Sequence, residues 1–166
     1  MYADLIHKMV CAILLGCIYA GIITNPDQLR GEVDLTEYKH MCGAVQAENG
    51  NLTGITEEEY ANDMRRCLLT ASVIENRKNS SGWKGSTTEE VIMAKEGKYW
   101  QYASTTRNRF KTIEVDDRVK VCVKYVLLYG VICPENVMYQ GQGYNGSGVY
   151  DSIPVRGDKD EIFCFE

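Results

Sequence analysis

The segment GQGYNGSG, residues 141–148, carries glycines at 141, 143 and 146. This is the G-x-G-x-x-G spacing of loops that cradle phosphate oxygens with backbone N–H groups. That chemistry needs a strand before the loop, a helix opening after it, and an acidic side chain about 20 residues further on. VYDSIPV follows instead, and only 18 residues remain after Gly148, too few for a βαβ unit. The pattern therefore reads as a glycine-rich loop between strands. His40 and Cys42 offer an imidazole and a thiol, but side chains two apart on a helix point to different faces and form no nucleophile–base dyad. Glu57, Glu58 and Glu59 read as the acidic first turn of a helix, where they favour its dipole, not as catalytic acids. Asp158, Asp160 and Glu161 fall short of a calcium loop in spacing and number. Neither G-x-S-x-G nor H-E-x-x-H occurs. No catalytic residue, no metal and no cofactor are expected, and the chain reads as a non-enzyme. An extracellular hydrolase, whose carboxylate pair needs no motif, ranks third among the functional readings.

A different chemistry is offered by PVRGDKDE. Arg156-Gly157-Asp158 is similar to the tripeptide by which many extracellular adhesion ligands engage integrins. The requirement is a guanidinium and a carboxylate held apart on an exposed turn. The cation pairs with an acidic receptor site, and the carboxylate completes the coordination of a receptor-bound metal. Three N-x-S/T sequons, at Asn51, Asn79 and Asn145, are acceptors for N-linked glycans in a eukaryotic secretory pathway. Each lies in a Gly- or Ser-rich stretch.

Export is also what the N-terminus implies. Met9 to Ile23, MVCAILLGCIYAGII, is uncharged. Fifteen apolar residues are short for a membrane span, which needs about 20, and suit the core of a signal peptide. Residues 1–24 read as that leader, with cleavage near Ala20 or Thr24. The alternative is an uncut anchor, or a periplasmic lipoprotein modified at Cys17, since Leu14-Leu15-Gly16-Cys17 resembles a lipobox. Beyond the leader lie Cys42, Cys67, Cys122, Cys133 and Cys164. They contain no C-x-x-C pair, and with His40 alone beside them they offer little to a zinc ion. In an oxidising compartment they imply two disulfides and one odd thiol, free to link a second chain.

The elements that must position these residues follow from periodicity. DLTEYKHMCGAVQA opens with Asp34 and Glu37 in capping-box spacing, and Leu35, Tyr38, Cys42 and Val45 then share a helical face. Thr56 and Glu59 open a second helix, whose stripe is Tyr60, Met64, Cys67, Leu68, Ala71 and Ile74. Cys42 and Cys67 sit on neighbouring buried stripes, so a disulfide between them is the expected staple of a helical hairpin. Beyond Asn76 the pattern reads as strands. A hairpin is expected about Glu96-Gly97 and two strands about Asp116-Asp117, the second alternating Val119, Val121, Val123 and Tyr125 with Lys120, Cys122 and Lys124 and running to Cys133. Shorter strands are expected over Val137 to Gln140 and Glu161 to Phe165. Residues 25–166 thus read as a single α+β domain, an N-terminal disulfide-stapled helical hairpin packed on an antiparallel sheet of about four to six strands.

With 45% apolar and 25% charged residues the composition is that of an ordinary globular chain. A net charge of −5 with no basic stripe speaks against nucleic acid as a partner, and a membrane is expected as a partner only if the leader stays uncut. The leading expectation is a secreted, disulfide-stabilised glycoprotein acting through protein–protein contact, as an effector, inhibitor or adhesion ligand, its partner another extracellular protein such as an integrin. The alternative is an extracellular small-ligand carrier with a pocket lined by aromatics such as Tyr99, Trp100, Tyr102 and Phe110.

Overall fold

Four α-helices begin on a capping side chain that the sequence supplies. Asp34 accepts from Thr36 N and Glu37 N at the start of α2 (Leu35–Asn49). Thr56 and Glu59 close a full capping box at α3 (Glu57–Asn79). Thr87 caps α4 (Thr88–Ile92), and Asp116 caps α6 (Asp117–Tyr129). Each cap satisfies backbone N–H groups that the first helical turn leaves without partners. At α2 the expected box stays open. Glu37 reaches away instead and accepts from Thr88 N at 3.1 Å and Thr88 Oγ1 at 2.6 Å, fastening α4 against α2.

The computed structural model describes residues 2–166, so Met1, the first residue of the expected leader, lies outside the described residues. Two further α-helices, α1 (Tyr2–Tyr19) and α5 (Ser104–Arg109), and a single 3-10 turn at Pro26–Gln28 capped by Asn25 complete the helical set. The strands are β1 (Lys95–Glu96), β2 (Tyr99–Trp100), β3 (Val137–Gly141), β4 (Gly148–Ile153) and β5 (Glu161–Phe165). The chain is α+β, with about half of it helical.

The centre of the molecule is α3. One face carries Met64, Cys67, Leu68, Ala71 and Ile74, all at most 1% exposed, into a core shared with Met41, Cys42 and Val45 of α2 and Val119, Cys122, Val123 and Val126 of α6. Its other face sends Leu69 and Val73 into a second cluster with Val137, Ile153 and Phe163 of the sheet. Polar groups register the two layers. Asn76 Nδ2 donates to Pro134 O at 2.9 Å and Val137 O at 3.1 Å, and Arg77 Nε donates to Met138 O at 2.7 Å. Gly43 of α2 is where α5 comes closest, since a Cβ there would collide with the Phe110 carbonyl. A larger residue would push the two helices apart.

The sheet is smaller than expected. β1 and β2 form a two-stranded hairpin through Gly97 and Lys98, one residue beyond the anticipated turn. The remaining sheet has the order β3-β5-β4, wholly antiparallel. Both outer strands shift register once, between Val137 and Tyr139 and between Val149 and Asp151, and such bulges are common on sheet edges, where they discourage pairing with another chain.

Two expectations are corrected. Of the two strands expected about Asp116-Asp117, the first is turn and loop between α5 and α6, and the second is α6 over residues 117–129 with loop beyond it to Cys133. The helix packs against α1, α2 and α3, so Val119, Val121, Cys122, Val123, Tyr125 and Val126 are all buried. Burial on most sides hides the 3.6-residue period behind a local alternation, and tertiary packing overrides the strand preference of the valines. The Cys42–Cys67 staple is also absent, since all seven cysteines are free thiols. α6 instead packs Cys122 into the same core cluster as Cys42 and Cys67, with its thiol directed at Met64 O at 3.7 Å.

α1 is built in two parts. Tyr2, Leu5, Ile6, Met9, Val10 and Ile13 are exposed, whereas Leu14 and Leu15 are half-buried and Ile18 fully buried. Eighteen residues rise about 27 Å, close to the about 30 Å hydrocarbon core of a bilayer. Such a helix fits a signal sequence and a membrane anchor alike.

Candidate functional site

The last rung of the β4–β5 ladder pairs Ile153 with Glu161, and residues 154–160 project beyond it as a loop. The tip is a turn in which Asp158 N donates to Val155 O at 3.1 Å. Gly157 has φ +76°, the left-handed conformation that the third position of a type II turn requires. No atom lies within 4 Å of a Cβ built there, so it is conformation and not crowding that demands glycine. The turn presents Arg156 and Asp158 to solvent. Arg156 Nε lies 3.7 Å from Glu59 Oε1 with its side chain half-exposed, a contact too open to hold the guanidinium firmly. Glu59 is committed elsewhere: the backbone N–H groups of Ile55 and Thr56 hold its carboxyl below the usual range, and Arg156 adds a smaller pull. Asp158 Oδ1 accepts from Lys159 N at 2.8 Å. Ser152 Oγ donates to Asp160 Oδ2 at 3.1 Å and fastens the loop at its root.

Glu161 stands at that root. Burial raises its carboxyl to about pH 7, with Glu48 and Asp158 pushing the same way and Arg66 opposing. Arg66 is itself buried and paired to Asp63 at 2.7 Å.

Asn51, Asn79 and Asn145 are all exposed. Asn51 lies between α2 and α3, Asn79 is the final residue of α3, and Asn145 lies between β3 and β4. The phosphate-loop pattern at 141–148 thus links two strands with no helix following, as its context implied. Its Ser147 bonds to the C-terminal strand, N to Phe165 O at 3.1 Å and Oγ to Glu166 O at 2.6 Å.

The four aromatics expected to line a pocket do not converge. Tyr99 and Trp100 are exposed on the small hairpin, Phe110 packs edge-on against His40 at 5.3 Å, and Tyr102 is buried. His40 pairs with Glu89 at 3.7 Å. Cys42 is turned into the core, where burial pushes its thiol up to about 12. A different aromatic group forms instead. The Arg77 guanidinium lies between Trp83 at 4.4 Å and Tyr102 at 5.0 Å, and Trp83 meets Tyr139 edge-on at 5.7 Å. Beside it is a cleft of about 180 Å³ lined by Trp83, Lys84, Lys95, Gln101, Tyr139 and Glu166. These residues come from four separate parts of the chain, and no local spacing announces them.

No family model, no curated protein and no solved structure matches this chain.

Proposed function

We propose that this is an exported glycoprotein that acts through protein–protein contact, with the loop 154–160 as its contact element. The observation that carries the reading is the turn at Arg156-Gly157-Asp158, exposed at the end of the sheet and fastened at its root by Ser152 and Asp160. A preformed turn loses little conformational entropy on binding. Its guanidinium and carboxylate suit an integrin-type site, with an acidic pocket for one and a bound cation for the other. Supporting export are the apolar segment at the N-terminus and three exposed sequons. In the oxidising compartment this reading implies, Cys67 and Cys122, which share one core cluster on the packed helices α3 and α6, are the first candidates for a disulfide.

The test is attachment of integrin-bearing cells to the immobilised exported protein, compared with Asp158→Ala. The substitution should leave the melting temperature unchanged and abolish cation-dependent attachment. Equal attachment by both proteins sinks the adhesion version.

A second reading, a small-ligand carrier, is favoured by the cleft beside Trp83 and Tyr139. A ligand there should change tryptophan fluorescence in a saturable way, and Tyr139→Ala should remove the change. A flat response across amines, lipids and aromatic acids counts against it.

A further inference from the structure

The last two turns of α1 rest on α3 and α6. There they supply Leu14, Leu15 and the wholly buried Ile18 to the core. Tyr125 of α6 donates its hydroxyl to the carbonyl oxygen of Cys11 at 3.0 Å. Tyr60 of α3 lies beside Gly21, and its hydroxyl is buried without a hydrogen-bond partner. Next to the end of α1 a cleft of about 490 Å³ is already open, lined by Tyr19, Gly21, Ile55 and Tyr60 with Thr56 and Glu57 among its polar members. Cleavage at Ala20 would remove the helix that fills the groove and extend this cleft into it. It would leave an apolar trough carrying two phenolic donors, one freed from a carbonyl and one without a partner from the start. Such a surface on a folded protein calls for an occupant.

We propose that loss of the leader turns the seat of α1 into a binding groove for a single-chain amphiphile, with a linear hydrocarbon tail and a hydrogen-bond-accepting head. Its chemistry follows from what it replaces. Leu14, Leu15 and Ile18 together carry about the apolar content of a dodecyl chain. The head group takes the place of the Cys11 carbonyl as acceptor for Tyr125. The cations facing the groove are already paired, Arg65 to Asp151 at 2.8 Å and Arg118 to Asp116 at 2.6 Å, and Glu57 lines the open cleft, so the head is held by the phenolic hydroxyls and not by a free cation. The proposal rests on the export reading, because only processing empties the groove.

The probe is dodecanoic acid, titrated by calorimetry into the protein exported from eukaryotic cells and into the full chain made in a cytosol with its leader attached. The exported protein should bind one dodecanoate per chain and the full chain at least tenfold more weakly. Tyr125→Phe should weaken binding to the exported form by about tenfold. A folded, processed protein without saturable binding overturns the proposal, as does equal binding by the full chain. So does a processed protein that sediments as a dimer and binds nothing, which assigns the groove to a second copy. A processed protein that is unfolded alone and folds on adding dodecanoate supports it; one unfolded in both conditions overturns it. Intact mass separates this from the reading beneath it. If the exported protein keeps residues 2–20, export by a cleaved leader fails and the groove is permanently filled. If it lacks them and does not bind, only the groove is wrong.

Discussion

Replacing Ile18 by alanine measures whether α1 belongs to the working protein. The side chain is wholly buried, at the contact of α1 with the core of α2, α3 and α6. An isoleucine-to-alanine change in a packed core costs about 2–5 kcal/mol, the upper values where the surroundings cannot relax. Here the half-buried Leu14 and Leu15 and the open cleft beside Tyr19 leave room to adjust, so about 2–3 kcal/mol is expected. For a chain of this size that corresponds to a fall in melting temperature of about 4–12 °C. The assay is thermal unfolding followed by circular dichroism, on two pairs of proteins. In the full chain, produced with its leader attached, Ile18→Ala should melt lower by that amount. If export removes the leader, the residue is gone from the exported protein, and parent and variant should melt together. An unchanged midpoint in the full chain would refute the packing argument. A lowered midpoint in the exported pair would refute leader removal.

Glu161 gives a pH signature. Its carboxyl is raised to about 7 by burial and by Glu48 and Asp158, well above the about 4.3 of an unfolded chain. The folded state therefore holds the proton more tightly, and the stability so gained is full below the unfolded value and is lost as pH rises through about 7. Urea midpoints should fall between pH 5 and 8 in the parent and fall less in Glu161→Gln; parallel profiles would refute this. Arg77→Leu removes the bond to Met138 O and both ring contacts, an expected loss of about 2–3 kcal/mol in urea unfolding, and a loss below about 1 kcal/mol would show the stack to be incidental. Burial pushes the thiols of Cys42 to about 12 and Cys133 to about 11, so an aromatic disulfide reagent at pH 8 should leave both unmodified until denaturant is added. Rapid native labelling of either, read by peptide mass, contradicts their placement.

Much of the helical framework is legible from short-range chemistry. The stripe Met64, Cys67, Leu68, Ala71 and Ile74 is the buried face of α3, and Thr56 with Glu59 is its working cap. The segments 137–140 and 161–165 lie in β3 and β5. What the sequence conceals depends on neighbours far along the chain. In α6 the set Val119, Cys122, Val123 and Val126 has helical spacing, and Asp116 is a good cap, yet buried Val121 and Tyr125 overlay it with an alternation that reads as a strand. The same long-range packing defeats the cysteine pairing, because Cys67 meets a helix that periodicity had read as a strand. The tripeptide at 156–158 and the sequons are visible at once because each is a local motif. The Arg77–Trp83–Tyr102–Tyr139 group is not, since only the folding of α3 onto β3 assembles it. The division of α1 into an exposed part and a seated end is equally invisible, because leader hydrophobicity and core hydrophobicity look alike in sequence.

The order β3-β5-β4 carries a consequence for synthesis. β3 and β4 never pair with each other, and each is joined to the sheet only by the strand made after both. During vectorial translation α2, α3 and α6 can pack while β3 and β4 are still loose threads, and the sheet snaps together only once Phe165 has left the ribosome. Until then the segment around Asn145 is an unpaired strip, and the turn at Gly157 has no rung beneath it. The loop 154–160 is therefore the last part of the molecule to take shape.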